Sequence, residues 1–243
     1  MNDFEMKNDA ADGTTEEQRS RRAFLQMSVG GAVAGMLGVA ATEIAAPPRA
    51  AAQSTLTPDE ALKELMDGNA RFAEHKMTSF EHDLEVLKSK TVDKQEPFAA
   101  VLSCADSRVP VEILFDQSIG HVFVTRVAGN VVTPEIIGSL EYGAAVLGTK
   151  IIVVLGHRSC GAVKAAIQGK GVPGQISSLF PHIQAAVDAA GPDTEATTKE
   201  NAKHQAKLLR ESSTVISEMA KDGKIKVVGA YYDLGSGTVT LLE

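Results

Sequence analysis

Three short runs in this chain, residues 98–103, 122–125 and 151–155, are apolar at nearly every position rather than at alternate ones. A strand with one wet face alternates, whereas a strand buried on both faces does not. The runs therefore predict a mainly parallel sheet covered by helices on both sides. The stretches between them carry helix starts: Pro110 ahead of V-E-I-L-F, and Thr133-Pro134 ahead of Ile137, Leu140, Ala144 and Leu147 at helical spacing. Upstream, Thr57-Pro58-Asp59-Glu60 has the capping-box pattern with proline at the first helical position. Leu62, Leu65, Met66, Asn69 and Phe72 or Ala73 then predict an amphipathic helix to about residue 74. A weaker helical stretch carries Leu84 and Leu87. Beyond Gly169, Gly171 and Gly174 the pattern predicts two helical stretches of about 15 and about 22 residues. A hairpin of 224–232 with 238–242 then turns around Gly235-Ser236-Gly237. The fold class is α/β, a mainly parallel central sheet flanked by helices, with an N-terminal helical arm.

Residues 1–52 read as a detachable address, which leaves one core-forming domain over 53–243. S-R-R-A-F-L at 20–25 precedes a weakly apolar run, 27–41, that contains Gly30, Gly31, Gly35 and Gly38. This resembles a twin-arginine export signal with Arg21 and Arg22 as the pair. The other reading is an ordinary disordered leader, since arginine pairs are common. The run falls short of the roughly 20 residues that cross a bilayer, so no stable membrane span is expected. Small residues at Ala50, Ala51 and Ala52 after Pro47-Pro48 predict cleavage near Gln53 and a periplasmic or secreted product. The resemblance further implies export in the folded state, with any metal loaded beforehand.

A formal charge of −7 does not suit nucleic acid or anionic membranes, whose binding rests on clustered Lys and Arg. Two cysteines, Cys104 and Cys160, are too few for a disulfide framework. Each belongs to a chemically unusual loop. C-A-D-S-R (Cys104, Asp106, Arg108) follows the first strand run, and G-H-R-S-C-G (His157, Cys160, flanked by Gly156 and Gly161) follows the third. Functional loops of open α/β sheets lie at the carboxyl ends of the strands. If the first and third strands are neighbours, two thiolates and an imidazole converge. That set suits zinc, and three protein ligands leave a fourth position for water, as a catalytic site requires. Two other readings stay open here: a Cys104–Cys160 disulfide, and a closed site in which Asp106 swings in as fourth ligand. A phosphatase loop does not fit, because Asp106 would repel the phosphate.

At these residues the sequence resembles the β-class carbonic anhydrases, through C-A-D-S-R-V-P, R-V-A-G-N, S-L-E-Y and G-H-R-S-C-G-A-V in that order, over about residue 56 to the end. The resemblance implies one zinc per subunit on Cys104, His157 and Cys160, with Asp106 and Arg108 as a catalytic dyad beside it. It places Gln95, Phe123, Tyr142 and Gly161 around a carbon dioxide pocket. The implied reaction is reversible hydration of carbon dioxide to bicarbonate and a proton by zinc-bound hydroxide, with His121 one candidate proton carrier. It also implies a homodimer or higher oligomer, whose pocket draws on both subunits and whose early helices clasp a partner. One subgroup carries a tryptophan three residues before the first cysteine and is switched off by bicarbonate. Here that place is Val101 and the chain has no tryptophan, although Arg126 occupies a position associated with that site. Two rivals keep the same donor set: a zinc hydrolase acting on carbonyl sulfide or carbon disulfide, and a non-catalytic zinc-binding module with Asp106 on the metal.

Overall fold

The computed structural model describes residues 54–79, 85 and 91–243; the leader and the weak helix around Leu84 and Leu87 lie outside them. Helix α1, Pro58–Ala73, begins as its sequence predicts: the Thr57 hydroxyl accepts from the Glu60 N–H, and the Glu60 carboxylate accepts from the Thr57 N–H at 2.8 Å. Five strands follow: β1 Ala99–Ser103, β2 Val122–Arg126, β3 Ile151–His157, β4 Lys226–Tyr232 and β5 Val239–Leu242. Their spatial order is β2-β1-β3-β4-β5, parallel throughout except for β5, which closes the predicted hairpin against β4. β1 and β3 are neighbours, the condition that the two cysteine loops needed.

Both faces of this sheet are covered, which is why its strands lack polar alternation. Ala99, Val101, Ile151, Val153 and Leu155 pack with Ala61 and Leu65 of α1 and with Val111 and Leu114 of the single-turn helix α2, Val111–Leu114. Ala100, Leu102, Ile152 and Val154 face the other way. They meet Leu140 of α3 (Pro134–Glu141), Ala206 and Leu209 of α6 (Thr194–Ser212) and Ile216 of α7 (Thr214–Lys221). Burying one such aliphatic side chain contributes about 1.5–3 kcal/mol, so neither face has room for a polar residue without a partner. Between these elements lie a π-helical turn Tyr142–Val146, α4 (Gly161–Gln168), a 3-10 turn Gly174–Leu179 and α5 (Phe180–Ala190). No helix among the described residues is long and apolar enough to cross a membrane.

The structure corrects the sequence in two places. The two predicted helical stretches after Gly174 are four pieces. Gly191, at φ 75°, ends α5, and the Ser213 hydroxyl caps α7 by accepting from Ile216 N–H at 3.0 Å. β3 also runs two residues past Leu155, because Gly156 and His157 still pair with Tyr231 and Tyr232 of β4.

Helix α1 is seated on its own sheet by close contact and by polar ties. A methyl group on Gly68 would stand 1.8 Å from the Phe115 carbonyl oxygen, so the glycine lets the helix touch that backbone. The buried Asn69 amide donates to Leu114 and Gly237 carbonyls at 3.1 and 3.0 Å and accepts from Val239 N–H at 2.7 Å. Asp116, at φ 46° just past α2, is the second anchor. Its fully buried carboxylate accepts from Arg71 Nε at 2.5 Å, from the N–H groups of Thr78 and Ser79 and from both their hydroxyls. Burial alone would raise this carboxyl, but Arg71 and the Ser79 and Thr78 donors outweigh it and hold it well below the usual carboxylate range.

A carboxyl whose folded value lies below its unfolded one, about 3.9, stabilises the fold above that pH, and the benefit is lost as pH falls. Asp116→Asn is therefore expected to destabilise the protein at pH 7, with the gap to the unsubstituted chain closing below about pH 4. Urea unfolding at neutral and acid pH measures this. An equal gap at both would show that the Asp116 charge contributes nothing.

Candidate metal centre

The register of β1 on β3 sets Ser103 opposite Leu155, so Cys104 leaves its strand beside the last residues of β3. His157 is the final residue of β3, and Arg158 N–H bonds the Tyr232 carbonyl at 2.9 Å, which keeps the chain on the sheet for one residue more. Ser159 then adopts φ 58°, a left-handed turn that costs a non-glycine residue about 1 kcal/mol. The turn swings Cys160 back beside His157 and starts α4 at Gly161.

Cys104, His157 and Cys160 are all buried, with one donor atom of each within 4.8 Å of the others. The two sulfurs stand 4.0 Å apart. His157 Nδ1 lies 3.0 Å from the Arg158 carbonyl, which can only accept, so Nδ1 carries the proton. Nε2 is left as a bare, buried lone pair with no hydrogen-bond partner. A buried orphan of this kind is costly unless something outside the protein's own donors occupies it. The thiols tell the same story. Cys104 is pulled down, first by the hydrogen bond from the Cys160 thiol and then by the Gly129 N–H, against its own burial. Cys160 is pushed up by that same pairing and by burial. Two sulfurs and a proton thus hold a place that a cation would fill. Two thiolates and one imidazole directed by its second nitrogen fit zinc.

Asp106 stands beside this triad without joining it. Arg108 grips the carboxylate as a fork: Nε to Oδ1 at 2.9 Å, Nη2 to Oδ2 at 2.8 Å, with the Arg108 N–H also on Oδ1 at 3.0 Å. The guanidinium holds the Asp106 carboxyl well below the usual carboxylate range. Oδ2 remains 3.8 Å from His157 Nε2, beyond hydrogen-bond reach. With both its oxygens in the Arg108 fork, Asp106 would serve as a fourth ligand only by giving up that pair.

Gly161 opens α4 directly after Cys160. Gln95, Phe123 and Tyr142 do not reach the metal end in this chain. Phe123 pairs in register with Ala100, four residues before Cys104, which is about 13 Å along the strand at ~3.3 Å per residue. Its ring lies 6.3 Å from that of Tyr142, which shares a cavity of about 550 Å³ with Gln95. His121, whose carbonyl bonds Phe98 N–H, belongs to that far end too.

Two contributions escaped the sequence. The Gly129 N–H donates to Cys104 Sγ at 3.3 Å. Arg126 donates to the Cys104 carbonyl at 3.1 Å and to the Asp106 carbonyl at 2.6 Å, bracing the ligand loop. Both belong to R-V-A-G-N, but spacing alone does not show that a backbone N–H or an arginine serves the neighbouring strand's loop.

Comparison with known proteins agrees with this geometry. The family model described as Carbonic anhydrase matches residues 99–239. Carbonic anhydrase 2 of Mycobacterium tuberculosis is 35% identical over 198 residues, covering 76% of this chain and 93% of that protein. The solved structure of a Coccomyxa β-carbonic anhydrase in complex with acetazolamide matches with a TM-score of 0.58 at 27% identity, over 74% of this chain and 86% of that one. One of two tetrameric β-carbonic anhydrases from Sordaria macrospora shares the fold, with a TM-score of 0.59 at 23% identity over 75% of this chain and 97% of that one. With the matched span running through both cysteine loops and the strands that carry them, the chain belongs to the β-class carbonic anhydrase family.

Proposed function

We propose that this protein interconverts carbon dioxide and bicarbonate at a zinc ion held by Cys104, His157 and Cys160, with Asp106 and Arg108 as the catalytic dyad. The observation that carries this is the bare, buried His157 Nε2 between two thiols, next to an aspartate locked in its ionised form. When bound, the zinc supplies Lewis acidity, which makes water a nucleophile strong enough for carbon dioxide near neutral pH.

The rest is the work of the chain's own residues. Asp106 presents a carboxylate oxygen toward the donor set and accepts a hydrogen bond from the reacting water, which aims the water's lone pair. Its depressed pKa makes it a poor destination for the proton, since an efficient base titrates near the working pH. Asp106 therefore orients, and the proton leaves for solvent. Arg108 fixes the carboxylate from two directions and keeps it charged.

The far position of Gln95, Phe123 and Tyr142 supports a site completed by a second subunit, whose copies of these residues wall the pocket. Tyr142 is 48% exposed, as a side chain reserved for another chain would be. The tetrameric relative from Sordaria macrospora supports the same assembly principle. For the residues outside those described, the reading is a twin-arginine leader over 1–52 that delivers a folded, metal-loaded protein to the periplasm.

Purified full chain is expected to hold about one zinc and to hydrate carbon dioxide in stopped flow between about pH 6.5 and 9. Asp106→Ala and Arg108→Ala should keep the zinc and lose activity by roughly 10² or more; full activity in both would remove the dyad from the mechanism. In a bacterial host, joint Arg21→Lys and Arg22→Lys substitution should abolish periplasmic accumulation of a product that starts near Gln53. Unchanged export would exclude the twin-arginine route.

A further inference from the structure

The segment after β2 makes a hydrogen bond to the metal donors through the Gly129 N–H on Cys104 Sγ. Val127 ties it to the ligand loop by bonding Ser103 and Ala105, and Val131 packs in the same buried cluster as Cys104 and Cys160. Gly129 sits at φ 79° and Asn130 at φ 44°, a turn closed by Asn130 N–H on the Val127 carbonyl at 2.9 Å. A side chain at 129 could not lock the turn, because its Cβ would lie 2.9 Å from Ile183 and 3.2 Å from Ala162.

Two side-chain amides of α6 hold the Gly129 peptide itself. The Asn201 amide, fully buried, donates to the Gly129 carbonyl at 2.9 Å. Its oxygen accepts from Gln205 Nε2 at 3.2 Å, one helical turn on. Gln205, also fully buried, donates to the His182 carbonyl at 2.7 Å and accepts from Val132 N–H at 2.8 Å. Every amide group of the pair thus has a partner, and together they clamp the segment at both Gly129 and Val132. With each of its amide groups paired, this chain of bonds favours one arrangement over others.

We propose that Asn201, braced by Gln205, is a positioning residue for the metal centre: it fixes the Gly129 peptide so that its N–H caps the Cys104 sulfur. Asn201 touches no metal donor and acts through Gly129. An N–H aimed at a thiolate favours the ionised sulfur that a metal needs, and outer-shell partners of this kind typically tune metal affinity by 10–100-fold.

The proposal rests on the zinc reading, and the test separates the two. Zinc affinity is measured on the full chain by competition with a chelator of known strength, together with the thiolate-to-metal absorption of the cobalt-substituted protein. Asn201→Ala should weaken zinc by roughly tenfold and shift the cobalt band. Leu209→Ala, on the same helix but packed against the sheet, should lower thermal stability and leave zinc affinity alone. Asn201→Ala binding within about twofold of the unsubstituted chain, or Leu209→Ala loosening zinc equally, overturns the proposal. Should Asn201→Ala fail to fold, Gln205→Met breaks the clamp one bond further out and answers by the same criterion. An unsubstituted chain that takes up no zinc would instead overturn the zinc reading itself.

Discussion

The parallel pairing of β1 with β3 is the constraint from which the metal centre follows. It sets Ser103 against Leu155, so the chain emerges at Cys104 beside the end of a strand that runs on to His157. A slip of one residue would turn Cys104 to the opposite face of the sheet. Both strands lie inside the sheet and are packed above and below by aliphatic side chains, so the register is held by the whole core rather than by the loops it serves.

Within that frame the electrostatics are set by a few short distances. Sulfurs 4.0 Å apart cannot both ionise without a cation between them and the imidazole. Arg108 keeps the neighbouring Asp106 charged and faces it with a fork of donors, so that the carboxylate serves as an acceptor at the site's edge. The backbone of the ligand loop is held in turn by Arg126. Most of the site's precision therefore comes from groups that contact a donor's backbone or sulfur.

The sheet was legible in the sequence because two-sided burial removes alternation, and the donor set was legible because two cysteines and a histidine followed two such runs. The exact end of β3 was not, since it depends on Tyr231 and Tyr232 of a strand much later in the chain. The pieces of the helical half were blurred because a single residue such as Ser213, capping α7 and donating to Glu141, divides a pattern that looks continuous. The pocket residues were legible only by resemblance. Nothing in the spacing of Gln95, Phe123 and Tyr142 tells that they gather away from the end where Cys104 emerges.

Cys104 and Cys160 stand 56 residues apart, and this separation has a meaning for the fold as well as for the chemistry. An unfolded chain can offer zinc only the local H-x-x-C pair; the third donor arrives when the crossover from β1 to β3 has closed. Binding that favours the closed state over the open one shifts the equilibrium toward folding by mass action. The ion then works as a reversible clasp on a long loop, offsetting part of the chain entropy lost in closing it. Scarcity of the metal would then be felt in how long each molecule lasts as well as in how fast it turns over.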